Sequence, residues 1–275
     1  MKKNTDVEAI TKQLEQGVKD LFESGSYAEY LEFMARFTDY SANNCLLIYM
    51  QKPDASLVAG YKAWKDKFNR QVKKGEKGIR ILAPCPHKFK KLVVDPDGNE
   101  VETEVKYMTF RAISVFDISQ TEGEDVPSIC RMLDGKVEGF ADLLEKLKGL
   151  SPVPVGFEEI KTGANGYFHL EEKRIAIKTG MSEAQTLKTL VHEVAHSKLH
   201  DKENGEEKDA SGRTKEVQAE SVAYTVLSFL GLDASEYSFG YIAGWSAGKE
   251  CKELAASMEV IRRTAGEIIE GLRAA

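Results

Sequence analysis

The sequence predicts an α+β protein in two parts: N-terminal helices with a small antiparallel sheet, then a mostly helical C-terminal domain with a β-hairpin or small sheet. Three observations predict this. Apolar residues recur at helix spacing near both ends, and two β-rich runs flank a turn in the first half. The charge also changes sign along the chain. Its 275 residues carry a net charge of −6, but residues 1–120 hold 19 Lys and Arg against 17 Asp and Glu, whereas the remainder holds 19 against 27. A chain of this length suits two domains. The predicted units are 1–120 and 136–275, joined by an acidic linker over 121–135.

The elements follow in order. Leu14, Val18, Leu21 and Phe22, then Tyr27, Tyr30, Leu31, Met34 and Phe37, recur at helix spacing. Ser41 to Asn44 supplies capping residues before CLLIYM, and Pro53 ends that segment. A short helix from Ser56 would place Val58, Tyr61 and Trp64 on roughly one face. Residues 74–78 read as a turn and 79–82 as a strand. FKKLVV and VETEVKYMTFRAISVF (101–116) flank DPDGN, whose Pro and Gly suit a reversal. The linker segment SQTEGEDVPS lacks apolar periodicity. Beyond it come an amphipathic helix (137–150), a strand in SPVPVGFEEI, and a hairpin formed by 166–170 and 174–178. Ser182 with Gln185 caps a long helix. The acidic stretch 201–214 precedes a helix that stops at Gly231, and a last helix covers most of 242–272.

Several classes are excluded or disfavoured. No window approaches the ~18 uninterrupted apolar residues of a membrane span. Acidic residues Asp6, Glu8 and Glu15 occupy the place of a secretory signal's apolar core, so the expected location is the cytoplasm. Four cysteines at least 40 residues apart give neither a CxxC pair nor a disulfide framework.

Chemistry concentrates at His192-Glu193-Val194-Ala195-His196. Two histidines four apart on a helix project from one face toward a common ion, with the glutamate beside them. In HExxH the histidines bind Zn²⁺ and Glu193 accepts the proton of the attacking water. A catalytic zinc needs a third protein ligand and an open fourth position. His200 lies one turn further along the same helix, rotated away by about 40° and ~6 Å along the axis, and the glycine turn of the elongated HExxHxxGxxH pattern is missing. Glu216 and Glu220, one turn apart on the next helix, are better placed. Glu216 is assigned as the ligand and Glu220 as the hydrogen-bond partner of His192, with the reverse also open. Alone, this acidic pair would read as an ordinary solvated helix face. Tyr241 and Tyr224 are candidate oxyanion donors, strand 174–178 a candidate edge for an extended peptide, and His87 and His169 framework residues.

HEVAH followed by EVQAESVAY resembles the minimal zincin domain shared by ImmA/IrrE-type peptidases and the C-terminal domain of ArdC-type antirestriction proteins. SANNCLLIYM, Tyr61-Lys-Ala-Trp64, VKKGEKGIRIL and AISVFDISQTEG resemble the N-terminal domain of the ArdC family, whose members are carried on mobile elements. The resemblance implies single-stranded-DNA binding by the first domain, a zinc metallopeptidase-like second domain, and protection of incoming DNA from restriction. It also aligns Glu216 with the family's ligand glutamate. The acidic insert after His200 departs from the family pattern.

The residues of the first domain agree with that expectation. Between Tyr61 and Lys91 there are 11 basic residues against two acidic ones. Single-strand binders combine a cationic track for phosphates with aromatic faces for bases. The expected DNA contacts are Lys62, Trp64, Lys65, Arg70, Lys73, Lys74, Lys77 and Arg80, although Trp64 fits a core position equally well. Two other functions remain open: an ImmA/IrrE-like protease acting on a repressor, and a protein in which zinc only holds the fold together. The protein substrate is not specified by the sequence.

Overall fold

The computed structural model describes residues 2–94, 100–126, 139–207, 209–232, 234, 237 and 239–274. The expected DPDGN turn and most of the expected linker lie outside the described residues. The fold is α+β, with small sheets and a helical C-terminal half.

Helices α1 (Lys2–Glu23), α2 (Tyr27–Met34) and α3 (Ala42–Gln51) open the chain. The apolar stripe Ile10, Leu14, Val18 and Leu21 of α1 is buried, as expected where such residues recur every three or four positions. Ser41 caps α3 by accepting a hydrogen bond from the Asn44 N–H. Ser56 does not start a helix. The Asp117 carboxylate accepts from the Ser56 and Leu57 N–H groups, and this draws the chain into strand β1 (Val58–Gly60) before helix α4 (Tyr61–Phe68).

Strand β2 (Arg70–Val72) follows. The two expected strands over 79–94 are one, β3 (Ile79–Val94), paired antiparallel with β4 (Glu100–Asp117). Pro84 and Pro86 do not break it, because β3 is an edge strand in the order β1-β4-β3 and a missing N–H is tolerated there. Strand β5 (Thr121–Gly123) pairs with β2. The first residues of the expected linker are therefore part of the N-terminal sheet region.

The second half begins with helix α5 (Phe140–Gly149). Strands β6 (Val155–Glu158), β7 (Gly166–His169) and β8 (Arg174–Lys178) form a sheet in the order β6-β8-β7, with β6 parallel and β7 antiparallel to β8. Strand β8 is central, so the expected free edge at 174–178 is not there; β7 is an edge strand instead. Helices α6 (Glu183–Leu199) and α7 (Gly212–Phe229) follow. The expected single last helix is two, α8 (Ile242–Ser246) and α9 (Cys251–Ala274), parted at Gly248, whose φ of +80° suits glycine.

The two sequence units share one apolar core, in which Phe22, Tyr27 and Tyr30 belong with Val222, Trp245 and Ile261. The Tyr27 hydroxyl meets Ser221 Oγ at 3.0 Å, and the Ala42 N–H donates to Glu259 at 2.7 Å.

Candidate metal centre

Helix α6 is fixed at its start and along its apolar face. Ser182 accepts from the Gln185 N–H at its start, and Leu187, Leu190, Val191, Val194 and Ala195 are fully buried. With that apolar face fixed in the core, His192 and His196 are left facing α7. Strand β7 reaches α6 closely because Gly166 has no side chain: a Cβ there would come within 2.6 Å of Thr189 Cγ2.

The Nε2 atoms of His192 and His196 are 3.0 Å apart. Glu216 projects from α7 between them, 3.6 Å from His192 Nε2 and 3.5 Å from His196 Nε2. One ligand atom from each of the three residues lies within 4.8 Å of the others. Donors bound to one tetrahedral ion at ~2.0–2.1 Å are themselves ~3.3 Å apart. The set thus has the span, and in two imidazoles and a carboxylate the chemistry, for a divalent cation such as zinc.

The charges agree. The Glu216 carboxyl is held well below its ordinary range by hydrogen bonding to His192 and then His196. Burial pulls the His192 imidazole down, but Glu216, Glu193 and Glu220 outweigh it and leave its pKa raised. Glu193 is buried beside the pair, and burial pushes its carboxyl up against the opposing pull of the histidines. It also accepts from the Phe168 backbone N–H of β7.

His200 caps α6 rather than joining the triad. Its Nδ1 lies 2.8 Å from His196 Nδ1, and its Nε2 lies 3.0 Å from Gln218 Oε1. Glu220 lines the same cleft as His192 and Glu193, but its described hydrogen bond comes from the Tyr241 hydroxyl rather than from His192. Of the two tyrosines considered as oxyanion donors, Tyr241 is thus engaged by Glu220, while Tyr224 packs against Tyr237 and Phe239. The cleft, of about 430 Å³, is also lined by Tyr237, Lys188 and Asn165. Lys188 stands one turn before His192 on α6, whereas Tyr237 and Asn165 carry no motif and only the tertiary fold brings them to the site.

The expected DNA contacts separate into two groups. Trp64 is 0% exposed and donates to the Phe116 carbonyl at 2.9 Å, so it is a core residue and presents no face to a base. Arg70 is clamped to β5 through Thr121 Oγ1, Thr121 O and Gly123 O. Arg80 pairs with Asp6 at 3.2 Å, and Lys73 donates to the Ser119 carbonyl. Lys62, Lys65, Lys74 and Lys77 are exposed. Among the described residues no helix is long and apolar enough to cross a membrane.

Comparison with known proteins follows this division of the chain. The model of the N-terminal domain of anti-restriction factor ArdC matches residues 4–116, and that of the IrrE N-terminal-like domain, a peptidase family, matches residues 151–236. An uncharacterized protein of Bacillus anthracis is 29% identical over 281 residues, covering 88% of this chain but 46% of that protein. The chain therefore spans about half the length of this curated relative. Metal-free antirestriction ArdC from plasmid R388 shares the fold with a TM-score of 0.53 at 19% identity, over 85% of this chain and 84% of that one. Its Mn(II)-bound form gives 0.54 at 17% identity, over 95% of each. Both domain types are thus present in this order and on the fold of ArdC, so the chain has an ArdC-like domain architecture: an ArdC N-terminal-like domain followed by an IrrE-like peptidase-family domain.

Proposed function

We propose that this chain is a zinc metallopeptidase-like antirestriction protein whose first half binds single-stranded DNA, acting in the cytoplasm. The observation that carries the enzymatic part is the convergence of His192, His196 and Glu216 within 4.8 Å, with the buried Glu193 beside them in an accessible cleft. Three protein donors leave a coordination position for water or substrate, whereas structural zinc sites are closed by four. That the ArdC protein from plasmid R388 has an Mn(II)-bound structure supports a divalent ion in this chain.

When bound, the ion supplies Lewis-acid chemistry, lowering the pKa of water and polarising a carbonyl. The rest belongs to the chain. Glu193, with its carboxyl raised by burial, takes a proton from water and delivers it to the leaving amine. Strand β7 borders the same cleft through Gly166 and offers an edge to an extended peptide. Lys62, Lys65, Lys74 and Lys77 supply positive charge for phosphates.

The test is metal analysis of the wild type beside His192→Ala and Glu216→Ala, with peptide cleavage and protection from restriction measured for Glu193→Gln. The wild type should hold about one zinc per chain and both ligand variants much less. Equal zinc in all three would overturn the site. Glu193→Gln should keep the metal and lose cleavage; if it still protects DNA fully, proteolysis is not the means of protection.

A further inference from the structure

Strands β3 and β4 run on together as a two-stranded ribbon after β1 ends, since β1 pairs with β4 only from Val115 to Asp117. In this antiparallel register His87 faces Tyr107 and Phe89 faces Val105. Odd-numbered side chains of both strands therefore share one face, and even-numbered ones the other. The two faces differ in kind.

On the odd face the rings of His87 and Tyr107 stack with centroids 5.1 Å apart and planes 19° apart. Phe89 meets Tyr107 edge-on at 5.7 Å. Phe89 is 45% and Tyr107 48% exposed, although aromatic side chains are ordinarily packed away. His87 Nε2 lies 2.8 Å from Thr109 Oγ1, which fixes the ring. Over residues 83–91 and 102–111 this face holds Lys91 and Arg111 and no carboxylate.

On the even face stand the ribbon's described glutamates. Glu104 pairs with Lys88 at 3.0 Å and Glu102 with Lys90 at 2.7 Å. Two lysines of the basic segment are thus paired on the back, which also carries Lys106, while the front joins a stacked ring platform to Lys91 and Arg111 with no carboxylate between them.

We propose that this odd-numbered face, through His87, Phe89 and Tyr107, is the platform on which unpaired bases of single-stranded nucleic acid stack, with Lys91 and Arg111 meeting its phosphates. The proposal rests on the reading of the first half as a single-strand binder and gives that reading the stacking surface that buried Trp64 cannot supply. A two-stranded ribbon also fits a duplex major groove, but exposed rings gain most from bases whose faces are free, and those belong to single strands. A protein partner would find cations here with no carboxylate to complement its own basic residues.

The experiment uses the full chain with a fluorescein-labelled oligothymidylate of about 20 nucleotides, read by anisotropy at two salt concentrations, with unlabelled duplex as competitor. Stacking on an aromatic ring is worth ~1–3 kcal/mol per base, so Phe89→Ala and Tyr107→Ala should each weaken binding roughly 5- to 150-fold. Tyr107→Phe should bind within about twofold of the wild type, because the ring is retained. Replacing Lys91 and Arg111 by Ala should reduce the salt slope by about 0.7 for each phosphate left without its cation. Lys88→Ala should change affinity less than about twofold, since its charge is already paired. Matched thermal melting establishes that the variants are folded. If the wild type binds and both aromatic-to-alanine variants bind equally well, the platform is wrong and the single-strand reading stands. Absence of wild-type binding would overturn both. Duplex competing as well as single strand, or Phe110→Ser on the even face weakening binding as much as Phe89→Ala, would also overturn the platform.

Discussion

His196 has two ring nitrogens, and the structure gives each a different task. Burial pushes the His200 imidazole down to about 4, against the opposing effect of its Gln218 hydrogen bond, so His200 is neutral near pH 7 and carries one N–H. Gln218 presents Oε1 to His200 while its amide nitrogen donates to Ser257 Oγ at 3.4 Å. The His200 proton therefore sits on Nε2, leaving Nδ1 to accept from the His196 Nδ1–H. With an ion taking the place of its Glu216 hydrogen bond, His196 would keep its proton on Nδ1 and offer the Nε2 lone pair, the tautomer a metal ligand requires. His200→Ala should weaken zinc affinity by about 10- to 100-fold, measured by competition with a chelator, while leaving the His192–Glu216 pair in place. Unchanged affinity would show that packing alone orients the ring. HExxH spacing marks His192, Glu193 and His196 in the sequence because helix geometry is local. The His200–Gln218 contact is less legible, since it depends on where α7 crosses α6. For the same reason sequence could not separate the solvated Lys62 from Arg70 or Arg80, whose partners come from distant segments.

At the scale of elements, the turn after α6 is tied to the β7–β8 hairpin by Lys173 and Asp201, 2.5 Å apart. Lys173, with the backbone N–H groups of Asn204 and then Glu203, holds the Asp201 carboxyl down to about 2 from its ordinary 3.8. A carboxyl lowered on folding stabilises the native state fully above its unfolded pKa, and loses that contribution as pH falls through the folded value. The window is therefore about pH 4 down to 2. Urea unfolding across it should show the wild type losing more stability than Asp201→Asn; parallel losses would mean the contact contributes nothing. Periodicity made most helices, β4 and the two ends of β3 legible, because these depend on local apolar spacing, but not that 79–82 and 89–94 are one strand. It did not reveal that β8 is central. Strand β6 joins β8 in parallel from across a connection, and periodicity carries no record of a neighbour strand's direction. Nor did it reveal β1, where Asp117, 61 residues from Ser56, decides the backbone path.

Charge divides the whole molecule differently from its core. Net charge records what faces water, so the sign change along the sequence marks two unlike surfaces. Apolar helix faces record what packs, and here they cross the division. Phe22 packs against Trp245 at 5.7 Å and Tyr27 against Phe239 at 5.2 Å, while Arg262 donates to the Thr38 carbonyl at 2.9 Å. Full burial of an apolar side chain contributes ~1.5–3 kcal/mol. Phe22 and Tyr27 keep each other as neighbours in the first half, so uncovering their other sides removes at most about 3–6 kcal/mol, against a typical net stability of ~5–15 kcal/mol. A fragment of residues 1–126 also leaves Tyr27 without Ser221 and the Ala42 N–H without Glu259. It should keep helical far-ultraviolet circular dichroism but lose near-ultraviolet signal and cooperative melting, whereas the full chain should melt in one transition. If the fragment melted cooperatively near the full chain's midpoint, the first half would hold a sufficient core of its own. The cross-contacts would then be docking between finished domains, and loss of metal from the second half would leave DNA binding by the first intact. A shared core makes the opposite demand: unfolding the metal-bearing half should weaken single-strand binding along with it.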